Sequence, residues 1–226
     1  MQAHRLVAAI CALGVVVVGH EAAQGQNFPS RPVRIVTSQP GGGTDFAARV
    51  IAQELQEPLG QVIVENRPNG PITIETVTKA APDGHTLLLL GSSVWLLQFM
   101  QERVSWDPLR DLLPITMAMR SPNVLVVHPS LPVKSVQDLV VLAKRQPGKL
   151  NYGTAGAAAS NLLAAELFKS MADVNLVRIP YKGTGPALNE LLGGQTQVMF
   201  PTPSSVMAHV KSGRLRALAA TTREPS

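Results

Sequence analysis

Short apolar runs alternate along this chain with longer stretches in which apolar residues return every three or four positions. The runs at residues 33–37, 62–65, 86–90, 124–128, 150–153, 176–179, 198–200 and 215–219 predict strands. Several are continuous rather than alternating, as parallel strands covered on both faces require. Between them lie helical patterns. Ala47, Val50, Ile51 and Leu55 form one apolar stripe, closed by Gly60. Ser135 is placed to cap a second helix carrying Val136, Leu139, Val140 and Ala143, stopped at Pro147-Gly148. Residues 160–171, 186–192 and 203–212 predict three more, the last two followed by glycine. Strand–helix alternation of this kind predicts α/β layers with mostly parallel sheets and right-handed crossovers.

The strand at 33–37 runs into Pro40-Gly41-Gly42-Gly43-Thr44-Asp45, with a helical pattern expected to open at Phe46. A glycine run feeding a helix leaves backbone N–H groups at the positive end of the helix dipole, a setting suited to a carboxylate or phosphate. The same residues also fit a plain strand-to-helix turn with Thr44 or Asp45 as the N-cap. Nucleotide fingerprints fail: no lysine follows the glycines, and a G-x-G-x-x-G reading from Gly41 ends on Phe46. A second turn, Asn151-Tyr152-Gly153-Thr154-Ala155-Gly156, repeats the strand–turn–helix logic. Two such turns facing each other would clamp one anionic ligand off the carboxyl ends of the strands. Gly91-Ser92-Ser93 follows another strand and offers hydroxyl and N–H groups to the same ligand.

Composition narrows the choice. The chain has 226 residues, 45% hydrophobic and 15% charged, which is a globular balance. Net charge is +5 with basic residues scattered, and aromatics are 4%, so a nucleic-acid role is not expected. His4 and Arg5 precede an apolar segment at residues 6–18 that is too short to span a membrane, and Ala22-Ala23-Gln24-Gly25 supplies small residues for cleavage. Residues 1–25 are therefore expected to be an export signal, with an N-terminal anchor helix as the alternative. Cys11 falls inside that signal, so the exported chain has no thiol. His85, His128 and His209 stand apart without metal-ligand spacing, and no G-x-S-x-G elbow appears. No metal, no cofactor and no catalysis are expected.

Several phrases, taken in order, resemble one family. They are Phe28-Pro29-Ser30-Arg31-Pro32-Val33-Arg34, the Pro-Gly-Gly-Gly-Thr-Asp run, Val64-Glu65-Asn66-Arg67-Pro68 and Lys79-Ala80-Ala81-Pro82-Asp83-Gly84-His85-Thr86. Pro129-Ser130-Leu131-Pro132, Pro147-Gly148-Lys149-Leu150-Asn151-Tyr152, Pro180-Tyr181-Lys182-Gly183, Leu191-Leu192-Gly193-Gly194-Gln195 and Leu215-Arg216-Ala217-Leu218-Ala219 continue the series. The chain resembles the Bug family, periplasmic solute-binding proteins of tripartite tricarboxylate transporters.

The resemblance implies a two-lobed, Venus-flytrap fold that closes on a small carboxylated molecule. It implies export to the periplasm, a monomer, and delivery to a membrane permease. Residues 26–117 would form the N-terminal part of lobe one, residues 118–216 lobe two, and residues 217–226 the start of a return to lobe one. By position, Gly41, Gly42, Gly43, Thr44 and Asp45 would form one carboxylate cradle. Thr154, Ala155, Gly156 and Ala157 would form the other, with Ser92 and Ser93 contributing from the third strand's end. Lys182 reads as a solvated loop residue. The family commonly has Asn-Gly-Thr where this chain has Ala157-Ala158-Ala159, and Asp-Asn where it has Pro201-Thr202. Alanine and proline cannot donate from their side chains. A family member would also continue beyond Thr222, so the chain is expected to be a truncated member with lobe one incomplete. The competing functions are a secreted α/β hydrolase and a protein that binds a ligand or partner outside transport.

Overall fold

The structure is a computed structural model that describes residues 28–68 and 70–223. The expected export signal lies outside the described residues. All the regular elements belong to one compact unit that begins at Pro32. The strands are β1 (Val33–Thr37), β2 (Val62–Asn66), β3 (Thr86–Leu89), β4 (Val124–Val127), β5 (Asn151–Thr154), β6 (Val177–Pro180), β7 (Val198–Met199) and β8 (Arg216–Ala220). The helices are α1 (Gly43–Leu59), α2 (Pro71–Thr78), α3 (Ser93–Met100), α4 (Val136–Arg145), α5 (Ser160–Ala172), α6 (Thr184–Leu192) and α7 (Pro203–Lys211).

The strands form two sheets. One is three-stranded, ordered β2-β1-β3 and wholly parallel, with Val33 opposite Val62 and Arg34 opposite Thr86. The other is five-stranded, ordered β6-β5-β7-β4-β8, parallel from β6 to β7. There β4 runs antiparallel to both β7 and β8. Its residues are all buried, so its apolar run reflects cover on both faces rather than strand direction.

Alternation along β4 distributes the core. Leu125 and Val127 face a cluster with Leu139, Tyr152, Ala165 and Val198, beneath α4 and α5. Val124 and Val126 face the opposite cluster with Leu188, Leu191, Met199 and Val206, beneath α6 and α7. The three-stranded half is thinner. On one face Val33, Ile35 and Val62 pack against Ala48 and Ala52 of α1. The buried stripe of α1 is thus set by two alanines, which allow close approach to the sheet, while the expected stripe member Val50 is 46% exposed. The other face holds Ile74, Val94, Leu97 and Trp106.

Two helices were not expected. In α2 the β-branched run Ile72-Thr73-Ile74 reads as strand, yet Pro71 at its first turn starts a helix. In α3 the sequence is apolar almost all round, so no stripe marks its period; Trp95, Phe99 and Met100 are exposed. The expected boundary after Arg216 falls inside β8, which stays with the five-stranded sheet through Ala220. Arg216 also ties that edge down, donating from Nη1 to the carbonyls of Leu131 and Val133. No described helix is long and apolar enough to cross a membrane.

Candidate functional site

The parallel strands of both halves end facing a shared cavity of about 390 Å3. From the three-stranded half, Ser38 comes after β1 and Leu90 to Ser93 after β3. From the five-stranded half, Ala155 follows β5, Thr184 follows β6, and Pro201 and Thr202 follow β7.

Five helices begin at this cavity. The N-caps are Gly42 for α1, Ser92 for α3, Ala159 for α5, Gly183 for α6 and Thr202 for α7, and none uses a side chain to cap its backbone N–H groups. The helix ladder of α1 starts with Phe46 N–H donating to Gly42 O at 3.0 Å, so the N–H groups before it have no intrahelical acceptor. By contrast α4, which does not border the cavity, closes its start with a capping box between Ser135 and Asp138. The N-cap of α1 is therefore Gly42, not Thr44 or Asp45.

The lining adds polar side chains but little charge. Ser38 and Thr44 share a hydroxyl hydrogen bond of 2.6 Å at the α1 start. Asn161 is 4% exposed and accepts from the Ala155 N–H at 3.3 Å. Asn123 donates to the Phe200 carbonyl and to Ser160 Oγ. Among the described lining residues the one charged side chain is that of Arg120. With no carboxylate beside it and five positive helix ends around it, the cavity favours an anion.

Six of the residues expected from sequence line this cavity: Gly42, Gly43, Thr44, Ser92, Ser93 and Ala155. Gly41, Asp45, Thr154, Gly156 and Ala157 do not. Asp45 is 6% exposed and spends its carboxylate on the loop itself. It accepts from the Gly41 N–H at 3.1 Å, Arg49 Nε at 3.1 Å and Asn66 Nδ2 at 2.8 Å. Burial pushes this carboxyl up, but those bonds outweigh it and hold it below the ordinary aspartate value. Thr154 is fully buried, and its hydroxyl accepts from Arg178 Nε at 3.1 Å. Ala157 and Ala158 pack into the apolar cluster of Val94, Leu97 and Trp106, across the gap between the halves. Ser92 Oγ donates to Ala158 O at 2.9 Å over the same gap. Ala158 holds φ 56 there, a left-handed conformation that costs an alanine about 1–2 kcal/mol.

The glycines of the first turn serve this contact as much as any ligand. A Cβ on Gly41 would meet Gly185 Cα at 3.1 Å, and one on Gly43 would meet Thr202 Oγ1 at 2.8 Å. On the facing turn, a Cβ on Gly185 would lie 2.5 Å from the Pro40 carbonyl oxygen and one on Gly183 would collide with Gln39. The partner of the first glycine turn is thus Gly183-Thr184-Gly185 in addition to the turn after β5.

Sequence reasoning missed Ser38, Thr184, Asn161, Asn123 and Arg120. A signal existed for the first two, since each comes shortly after a parallel strand, where α/β sheets gather ligands. Arg120 lies on an irregular segment before β4 and carries none. Among the described residues no group of His, Cys, Asp and Glu is arranged to hold a metal ion.

The family model described as "Tripartite tricarboxylate transporter family receptor" matches residues 47–226. Protein BugT of Bordetella pertussis is 40% identical over 199 residues, covering 85% of this chain and 61% of that protein. The UPF0065 protein in the tcbD-tcbE intergenic region of Pseudomonas sp. (strain P51) is 35% identical over 221 residues, covering 96% of this chain and 66% of that protein. The chain therefore spans under two thirds of the length of these relatives. Among solved structures, Rpa4515 of R. palustris with adipate superposes with a TM-score of 0.79 at 33% identity, over 88% of this chain and 68% of that one. MatC of Rhodopseudomonas palustris with bound malate gives 0.80 at 28% identity, over 87% and 69%.

Proposed function

This chain belongs to the tripartite tricarboxylate transporter receptor family, and we propose that it captures a small carboxylated metabolite between its two halves for delivery to a membrane permease. The observation that carries this reading is the convergence of five helix starts without side-chain caps on one cavity where Arg120 is the one charged side chain among the described lining residues. A carboxylate seated there would accept the N–H bonds that the helices leave open, and would meet no like charge. Relatives captured with adipate and with malate support the same ligand chemistry.

Gly42, Gly43, Thr44, Ser92 and Ser93 then act through backbone N–H groups and hydroxyls, Ala155, whose N–H is held by Asn161, shapes the wall, and Arg120 steers the anion. Asp45 holds the first turn in shape and touches no ligand. Residues 26–117 and 118–216, with β8 added to the second set, are the two lobes, and a monomer works alone. The location is the periplasm, in line with the neighbour solved as the periplasmic binding protein BugD. A hydrolase is disfavoured by the cavity itself: among the described lining residues there is no histidine or carboxylate to act as a base for its serines.

Isothermal titration calorimetry of residues 26–226 with malate and with adipate tests the reading. Saturable one-site binding without turnover is expected. Heats indistinguishable from dilution for both, and for citrate and glutamate, would remove it.

A further inference from the structure

Two buried asparagines border the cavity, and each is held by a bond that fixes which end of its amide stays open. Asn123 is 7% exposed and Asn161 4%. Asn161 Oδ1 accepts from the Ala155 N–H at 3.3 Å. An N–H can only donate, so the oxygen must face it and Nδ2 is left over. Asn123 is the mirror case. Its Nδ2 donates to the Phe200 carbonyl and to Ser160 Oγ. A carbonyl can only accept, so the nitrogen must face it and Oδ1 is left over. Among the described residues, the sealed side-chain polar atoms without a partner are Trp106 Nε1 and Thr196 Oγ1. Asn123 Oδ1 and Asn161 Nδ2 have no described partner and are not sealed off. For side chains this buried, the open space is the cavity they line.

Resting on the carboxylate reading above, we infer that these two side chains set the selectivity of the site. Asn161 donates to an anionic oxygen, Asn123 accepts from a hydroxyl on the carbon chain, and the preferred ligand is a hydroxycarboxylate. The serine and threonine hydroxyls of the lining rotate to donate or accept as a ligand requires, and the helix-start N–H groups and Arg120 only donate. Asn123 differs from all of them, because its open atom only accepts. A carboxylate oxygen placed against it would meet a like partial charge, and an unsubstituted carbon chain would leave a buried carbonyl without a donor. A hydroxyl satisfies it. An ammonium would also donate, but it would enter a cavity with Arg120, five positive helix ends and no carboxylate among the described lining residues. An amino acid is therefore disfavoured where a hydroxy acid is not.

The test is calorimetry on the intact chain with succinate, both enantiomers of malate, and aspartate, acids of one carbon skeleton that differ at one substituent. The better malate enantiomer should bind about tenfold more tightly than succinate, the gain of one buried hydrogen bond, and aspartate should bind more weakly than malate. Asn123→Leu, close in volume, should bring malate and succinate to within about twofold of each other. A merely structural asparagine would lower both acids together and keep their ratio. Asn161→Asp keeps the oxygen that faces the Ala155 N–H and turns the open amine into a charged oxygen, so it should weaken both acids by more than about tenfold. Succinate bound as tightly as malate by the parent would overturn the inference and leave the carboxylate reading standing. So would an unchanged ratio in Asn123→Leu, undiminished binding in Asn161→Asp, or aspartate bound more tightly than malate. The parent series decides the matter by itself if Asn123→Leu fails to fold. Binding of none of the acids would take down both readings.

Discussion

Removing the Asp45 carboxylate by Asp45→Ala separates a positioning role from a ligand contact. In the folded chain that carboxylate is buried and receives bonds from the Gly41 N–H, Asn66 Nδ2 and Arg49. Not all of them count equally. Arg49 has a half-exposed side chain, keeps a 3.0 Å bond to Asn66 Oδ1, and returns to water at little cost. Asn66 Nδ2 retains the Ser38 carbonyl. The main losses are the charged bond to the Gly41 N–H and half of the Asn66 pairing, about 3 kcal/mol together at about 1.5 kcal/mol each. For a domain of this size that lowers Tm by roughly 6–12 °C, readable by circular dichroism. Because the folded carboxyl is held below its ordinary value of 3.8, its contribution is present above that value and lost as pH falls through the folded pKa. Asp45→Ala should therefore be less stable than the parent at pH 7, and the gap should close in strong acid. Anion binding should weaken as the turn loosens. A Tm within about 2 °C of the parent at pH 7, or tighter binding of malate in the variant, would refute this account, the latter by showing that the charge faces the ligand.

Arg120→Ala should weaken binding of any carboxylate by about tenfold, and should flatten the salt dependence of affinity, since the one cation of the cavity is gone; an unchanged salt slope would count against its steering role. Gly185→Ala places a methyl 2.5 Å from the Pro40 carbonyl oxygen, so the halves must separate. Small-angle scattering should then give a larger radius of gyration, and an unchanged profile would show the contact to be dispensable. Tyr152→Phe removes the hydroxyl that donates to Glu166 and should cost about 1 kcal/mol in urea unfolding. Burial, then Glu166, pushes the Tyr152 phenol well up. Its absorbance should consequently stay silent through the alkaline titration until unfolding, and an earlier step would contradict the buried pairing. Ala158→Gly relieves the left-handed alanine and should stabilise the chain by about 1 kcal/mol; a loss of stability would mean that the methyl packing against Val94 and Trp106 outweighs the strain.

Strands such as Val33–Thr37 and Val124–Val127 were legible because each carries its own message, a short apolar run between turn residues. Strand direction was not, because β4 is buried on both faces and so has the sequence of a parallel strand although it runs antiparallel. Helix α4 announced itself by period and cap, whereas α3, apolar on every side, has no period to read. The glycine turn was found, but its cause was only half visible. Gly41 and Gly43 are required by residues at positions 185 and 202, contacts no local pattern can carry. Asp45 was read as a ligand contact because it closes the turn in sequence; the fold directs its carboxylate back to Gly41, Arg49 and Asn66. Arg120 went unread because its place at the cavity depends on how an irregular segment crosses between the halves.

The meeting of Gly41 with Gly185, and of Gly183 with Gln39, places backbone against backbone where the two halves touch. Side chains decide what is held, but it is the lack of side chains that decides whether the halves can meet. Two kinds of change therefore have separate consequences. A substitution at 183 or 185 should weaken binding of every anion alike. One among the polar side chains of the lining should change which anion is favoured on an unaltered closing surface. A fold built this way can change its selectivity residue by residue without altering how its halves meet.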